Sequence, residues 1–317
     1  MFSFGLNIVA NKLMSFISTI MFQRVNHVCR LLCLACAAWL LPLLLLTAGC
    51  VSTTVKTTRL TPGPDAVETK AISVYQQGEA GPGNYEIMAV VSGTTDSGFA
   101  QGSLLKKIQA EAARMGADSL VGYQAGTVVT DNGGVVWASA LAVRTLPDGQ
   151  SAPPPKTDCI VAIPHTLLKE NIATGGRAGK LDQAAREFAR FYLAQKGYYA
   201  VLVEEPMPDP FEGNFQTMDA GGLAKYGGPT AGLVLGIRFV QKSGATVILF
   251  SAAGMKLETS LYSKSQKKVT WQNTAAGWGE TGWIINLSTP DEKRLIAIQE
   301  ALNKTFETLP DLSTKTE

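Results

Sequence analysis

Phe188-Ala189-Arg190-Phe191-Tyr192-Leu193-Ala194-Gln195-Lys196-Gly197-Tyr198-Tyr199 is the stretch that decides the fold. It is a helix running directly into a strand. Leu181, Ala185, Phe188 and Tyr192 recur at helical spacing, which predicts a helix over Leu181 to Lys196. Gly197 supplies the stop, because glycine takes up the left-handed conformation that closes a helix without a Cβ penalty. Tyr198 to Val203 then reads as a strand. A helix bounded by strands on either side points to a mixed α/β layer.

Outward from that stretch the same pattern continues. Cys159 to Ile163 is a short apolar strand upstream. Downstream, Pro206-Met207-Pro208-Asp209-Pro210 marks a turn, and Ala220 to Tyr226 reads as a short helix. Strands follow at Leu233 to Val240, Ala245 to Ala252, Lys256 to Tyr262 and Lys268 to Gln272. The turns between them, at Lys242-Ser243-Gly244, Ala253-Gly254 and Lys264-Ser265-Gln266, are short, so the strands form an antiparallel meander. Thr289-Pro290-Asp291-Glu292 is a capping box with Pro at the first helical position. Leu295, Ile298, Leu302, Phe306 and Leu309 continue from it as one core-facing stripe. This module is expected over residues 158–312, with residues 313–317 as a tail.

A smaller module is expected over residues 71–145. Ile72 to Tyr75 and Tyr85 to Val91 read as strands. A helix over Gln101 to Met115 carries its apolar stripe on Leu104, Leu105, Ile108, Ala112 and Met115, and Gly116 ends it. Ser119 to Tyr123 and Val135 to Val143 are further strands. Residues 146–157, with Pro153-Pro154-Pro155, read as an interdomain linker, and residues 50–70, rich in Thr and Val, as a tether. The expected class is α/β (α+β), with two small mixed-sheet domains, each with helices packed on its sheet and each folding on its own.

The helix–strand stretch at Phe188 to Tyr199, with a closing strand at Ser265-Gln266-Lys267-Lys268-Val269-Thr270-Trp271, resembles the α/β domain of the TolB N-terminal region, the penicillin-binding-protein activator lipoproteins and the curli secretion lipoprotein. A Gly that often precedes the Lys of that strand is missing here. The turn Met115-Gly116-Ala117-Asp118-Ser119-Leu120-Val121 resembles Rcs-type and YbjQ-type modules over Tyr85 to Val143. The Rcs-type disulfides have no counterpart, because that module contains no cysteine. The first resemblance implies tethering, assembly or regulation without a catalytic site.

Leu31 to Leu46 is uncharged and Leu-rich, follows Arg24, His27 and Arg30, and ends in Leu46-Thr47-Ala48-Gly49-Cys50. This is the order of a secretory signal: positive, apolar, then small. It resembles the lipobox of a bacterial lipoprotein, which implies a signal over residues 1–49 and a lipid (palmitate among its acyl chains) on Cys50. A start at Met21 would give that signal a more usual length. In such lipoproteins an Asp after the Cys often holds the protein in the inner membrane. Val51 stands there instead, so the expected place is the outer membrane, facing the periplasm. An uncleaved transmembrane helix is the competing reading of the same run.

The composition narrows the chemistry. Removing Lys12, Arg24 and Arg30 from 28 basic residues leaves 25 against 26 acidic ones, a net charge of −1. Nucleic-acid binders show a basic footprint, so no nucleic acid is expected. His165 and Cys159 are the only histidine and cysteine beyond Cys50. No metal site, cofactor or His-dependent triad is therefore expected, and no P-loop, dinucleotide fingerprint or nucleophile elbow occurs. Glu204-Glu205 reads as solvated charge, and Asp131-Asn132-Gly133-Gly134 as a hairpin turn that needs no ion. Ala275 to Trp283 is expected as a loop with three glycines and two tryptophans. Trp278 and Trp283 in it, with Trp271 just before it, could meet an envelope protein or peptidoglycan, since Trp concentrates in interface hot spots and stacks on sugar rings. Covering the sheet is the other use of the same rings. The function read from the sequence is that of a membrane-anchored envelope factor acting by binding and not as an enzyme. The rival reading is an exported, carboxylate-dependent glycan hydrolase, which would need carboxylates at a defined separation.

Overall fold

Two five-stranded mixed sheets, with helices packed on them, frame the computed structural model. It describes residues 52–61, 71–96, 100–130, 133–151, 157–168, 175–204, 220–247, 250–280 and 290–314. All of these fall in one compact unit, Ser52–Glu317. Cys50 and the apolar run before it lie outside the described residues. Among the described residues no helix is long and apolar enough to cross a membrane.

The first sheet has the order β1-β3-β5-β4-β2, with β1 Thr53–Arg59, β2 Ser73–Gln76, β3 Tyr85–Thr95, β4 Ser119–Thr130 and β5 Gly133–Thr145. All neighbours are antiparallel except β2 and β4. β1 lies in the range expected to be a tether. Its β-branched run, Thr53-Thr54-Val55-Lys56-Thr57-Thr58, suits a pleated, half-buried edge, and Val55 packs against the core beneath. Helix α1, Gln101–Arg114, covers one face of this sheet through Leu104, Ile108 and Ala112, against Ala89, Val91 and Ala140. It closes as the sequence predicts: Gly116 sits at φ +82°, its N–H bonds Ala113, and the Ala117 N–H reaches back to Ala112.

The second sheet has the order β10-β9-β8-β6-β7. Parallel pairs join β6 (Ile160–Ile163) to β7 (Tyr199–Leu202) and to β8 (Leu233–Val247). β9 (Phe250–Ser263) and β10 (Lys268–Glu280) complete an antiparallel meander. Helix α2, Gly175–Gln195, crosses from β6 to β7, and the short α3, Ala220–Leu223, precedes β8. Helix α4, Pro290–Phe306, buries Ile298, Leu302 and Phe306. Its expected cap at Thr289 lies outside the described residues.

The meander differs from expectation in its turns. Ser243-Gly244 and Ala253-Gly254 lie inside β8 and β9, paired across a ladder that runs out to Val247↔Phe250. β10 runs on to Glu280, so Ala275 to Glu280 is strand where a loop was expected. The glycines are there for close approach. A Cβ at Gly277 would strike the carbonyl of Ala297, and one at Gly279 the carbonyl of Lys293, so α4 lies directly on the β10 backbone.

The two modules read from sequence are halves of one packed unit. One core cluster joins Val90, Leu141 and Val143 of the first sheet to Ile160, Val234 and Tyr262 of the second. Another brings Val128 and Trp137 against α2, β8 and α4. Buried polar groups cross the same seam. Arg190 donates to Gln124 and stacks 5.5 Å over Trp137, while Ser92 Oγ donates to Ala194 O at 2.6 Å and Tyr199 OH to Gly122 O at 2.8 Å. The two stretches thus share core clusters in which each sheet covers part of the other.

Candidate functional site

Large apolar side chains left in water are the informative surface feature of a folded chain. Among the described residues they are Val129, 71% exposed, Trp278, 47%, and Ile296, 40%. All three line one groove of about 860 Å³.

Each wall follows from local sequence. Val129 comes from β4, one residue before the Thr130↔Gly133 pair with β5; Asp131 and Asn132 lie outside the described residues. Trp278 comes from β10, opposite Gly254 of β9, and its ring lies within 3.2 Å of where a Cβ on Gly254 would stand. Ile296, Gln299, Glu300 and Asn303 follow one another at helical spacing on the outer face of α4. Gln299 Nε2 donates to the Val129 carbonyl at 2.5 Å, tying the hairpin tip to α4. Asp96, just past β3, also lines it.

Glu300 is the best-held ionisable group of the groove. Burial pushes its carboxyl up. The hydrogen bond from Lys304 at 2.6 Å, the Trp278 backbone N–H and the Lys304 charge outweigh that and bring it below the ordinary carboxylate value. It stays an acceptor that fixes Trp278. No Lys or Arg is among the described residues that line the groove.

Of the three tryptophans singled out from sequence, only Trp278 lies in the groove. Trp271 sits earlier on β10, where its Nε1 donates to Thr308 Oγ1 at 3.1 Å and its ring lies 5.7 Å from Phe306. It packs, half-buried, against the end of α4. Trp283 and Cys50 lie outside the described residues. Val129 and Ile296 were not singled out from sequence, because each reads as one apolar residue in an ordinary strand or helix.

A second polar cluster stands at the carboxyl ends of β6 and β7. His165 Nδ1 lies 2.8 Å from Asp182 and Nε2 3.3 Å from Glu204. The buried Arg186 donates to Glu204 at 2.9 Å and to the Val203 carbonyl at 2.9 Å. Glu204 is an exposed charge, as the sequence leads one to expect, and it also accepts from the buried Arg186; Glu205 lies outside the described residues. No group of three or more metal-ligating side chains occurs among the described residues.

No protein-family model and no curated protein matches the sequence. Solved structures similar to this chain include bacterial lipoproteins. A lipoprotein of Neisseria meningitidis is 16% identical, with 47% of this chain and 99% of that one covered and a TM-score of 0.28. A minor lipoprotein of Acinetobacter baumannii is 9% identical, covering 48% and 91%, with a TM-score of 0.27. A hypothetical protein of Chlamydia trachomatis is 8% identical, covering 47% and 92%, with a TM-score of 0.32.

Proposed function

We propose that this chain is a lipid-anchored envelope protein, held by Cys50 in the outer membrane and facing the periplasm, that acts by binding and not by catalysis. The groove on Trp278 is its binding site. The observation that carries this is the convergence of Val129, Trp278 and Ile296 on one groove, three apolar side chains that stay in water unless something covers them.

The hydrolase reading needs a carboxylic acid that keeps its proton near neutral pH. Of the carboxylates in the groove, Glu300 is shifted the opposite way. That supports binding over acid catalysis. The anchor reading rests on the positive, apolar and small-residue order that ends at Cys50.

A photo-reactive amino acid at Asn303, exposed in the groove, tests the site in intact cells. An adduct from position 303, with none from the exposed Lys225 far along the chain, is the expected outcome. Equal adducts from both positions, or none from 303, would remove the groove from consideration. Cys50→Ala should abolish incorporation of a clickable fatty acid, and undiminished labelling would overturn the anchor.

A further inference from the structure

The groove takes Asp96 and Val129 from the edge of the first sheet at which β1 begins. Thr53 of β1 stands opposite Thr95 of β3, Thr95 opposite Val136 of β5, and Val136 opposite Thr127 of β4. These four residues form one row across the sheet. Val129 lies two residues beyond that row, about 7 Å further out at the rise of a strand. Asp96, in the groove lining, donates its backbone N–H to the Ser52 carbonyl at 3.4 Å. Only Val51 stands between Ser52 and Cys50. A chain spans at most about 3.6 Å per residue, so a lipid on Cys50 enters its bilayer within about 11 Å of Thr53.

We propose that Val129, Trp278 and Ile296 rest in the interfacial layer of that bilayer, and that phospholipid covers the mouth of the groove. The proposal rests on the anchor and groove readings above and names the occupant. With so short a leash, a patch at the anchored end of the molecule meets the membrane before any other partner. Trp favours the headgroup level, where its ring is half apolar and half polar, and aliphatic tips add buried area there. The charge also selects the lipid. Asp96 and the Lys304-bonded Glu300 line the groove, and among the described residues no Lys or Arg lines it. A zwitterionic headgroup, whose ammonium faces the Asp96 carboxylate, fits that lining. An anionic surface is repelled by it.

The test uses the full lipidated chain, carrying Trp283→Phe, in vesicles of phosphatidylethanolamine and phosphatidylcholine with brominated acyl chains. Flotation first confirms that the chain is held. Brominated lipid should quench the fluorescence, and adding Trp278→Phe should abolish most of that quenching, because Trp137 is buried and Trp271 is half-buried against α4, outside the groove. Val129→Asp should lower the quenching without changing the melting temperature, and so should replacing phosphatidylethanolamine by phosphatidylglycerol. Equal quenching with and without Trp278 in floating vesicles overturns the proposal. An adduct at position 303 made only of protein or glycan also overturns it, while leaving the groove as a binding site. A chain that fails to float overturns the anchor and this proposal together.

Discussion

Gly254, Gly277 and Gly279 act through the side chains they lack. Gly254 leaves room for the Trp278 ring, and the other two let α4 lie on β10. We expect Gly279→Ala to cost about 1–3 kcal/mol, because the obstacle is the Lys293 backbone, which cannot rotate away. Trp278→Ala should cost only about 1 kcal/mol, against about 3–5 kcal/mol for a fully buried aromatic such as Trp137. Thermal melts of the two variants check both figures. A Trp278→Ala loss as large as that of Trp137→Ala would place the ring in the core. Arg190 is the corresponding polar case. Arg190→Met would leave the buried Gln124 carbonyl without its partner, at about 1–3 kcal/mol, readable in a urea titration.

Among the elements, helix ends were the most legible. Gly197 at φ +79° donates to Ala194 O at 3.1 Å, and the Tyr198 N–H to Leu193 O at 3.0 Å, closing α2 where the sequence places its end. The same turn serves the seam between sheets, because Thr58 Oγ1 donates to the Gly197 carbonyl at 2.9 Å. Gly197→Ala should therefore cost about 1–3 kcal/mol from the left-handed strain alone, with further loss from the clash against Thr58. A stability unchanged by this substitution would show that the turn relaxes freely. Strand ends were less legible. Gly-containing pairs at Ser243-Gly244 and Ala253-Gly254 look like turns locally, and only the cross-strand stack of Ser243, Gly254 and Trp278 makes them strand.

For the whole molecule, the shared core makes a definite prediction. A fragment of residues 158–317 keeps its meander but exposes the face formed by Ile160, Val234 and Tyr262, which Val90 and Leu141 cover in the full chain. It should bind a hydrophobic dye and melt broadly, whereas a sharp, dye-free transition would restore two independent domains. The C-terminal segment is tied back to β1 by Lys56 and Asp311 at 2.5 Å. Burial raises the Asp311 pKa, but the Lys56 and Ser313 hydrogen bonds and the Lys56 charge outweigh it and leave it below the ordinary 3.8. A carboxylate depressed in the fold stabilises above its unfolded value, and that contribution fades as pH falls through the folded one. Asp311→Asn should therefore flatten the melting temperature between about pH 5 and pH 2 and lower it at neutral pH.

What the amino-acid sequence determined by itself is local: the α/β class, the apolar stripes of the three long helices, and the glycine stops after α1 and α2. Each depends on residues within a few positions of one another, where periodicity and backbone conformation act directly. The tertiary structure decided what depends on contacts between distant residues. β1 is a strand because β3 lies beside it, and Gly277 and Gly279 are contact points because α4 returns across β10. Trp271 and Trp278 look alike on one strand, yet one is covered by the end of α4 and the other faces the groove. Val129 and Ile296, 167 positions apart in the chain, become one surface only because a hairpin of the first sheet reaches the last helix of the second, and no local pattern records that meeting.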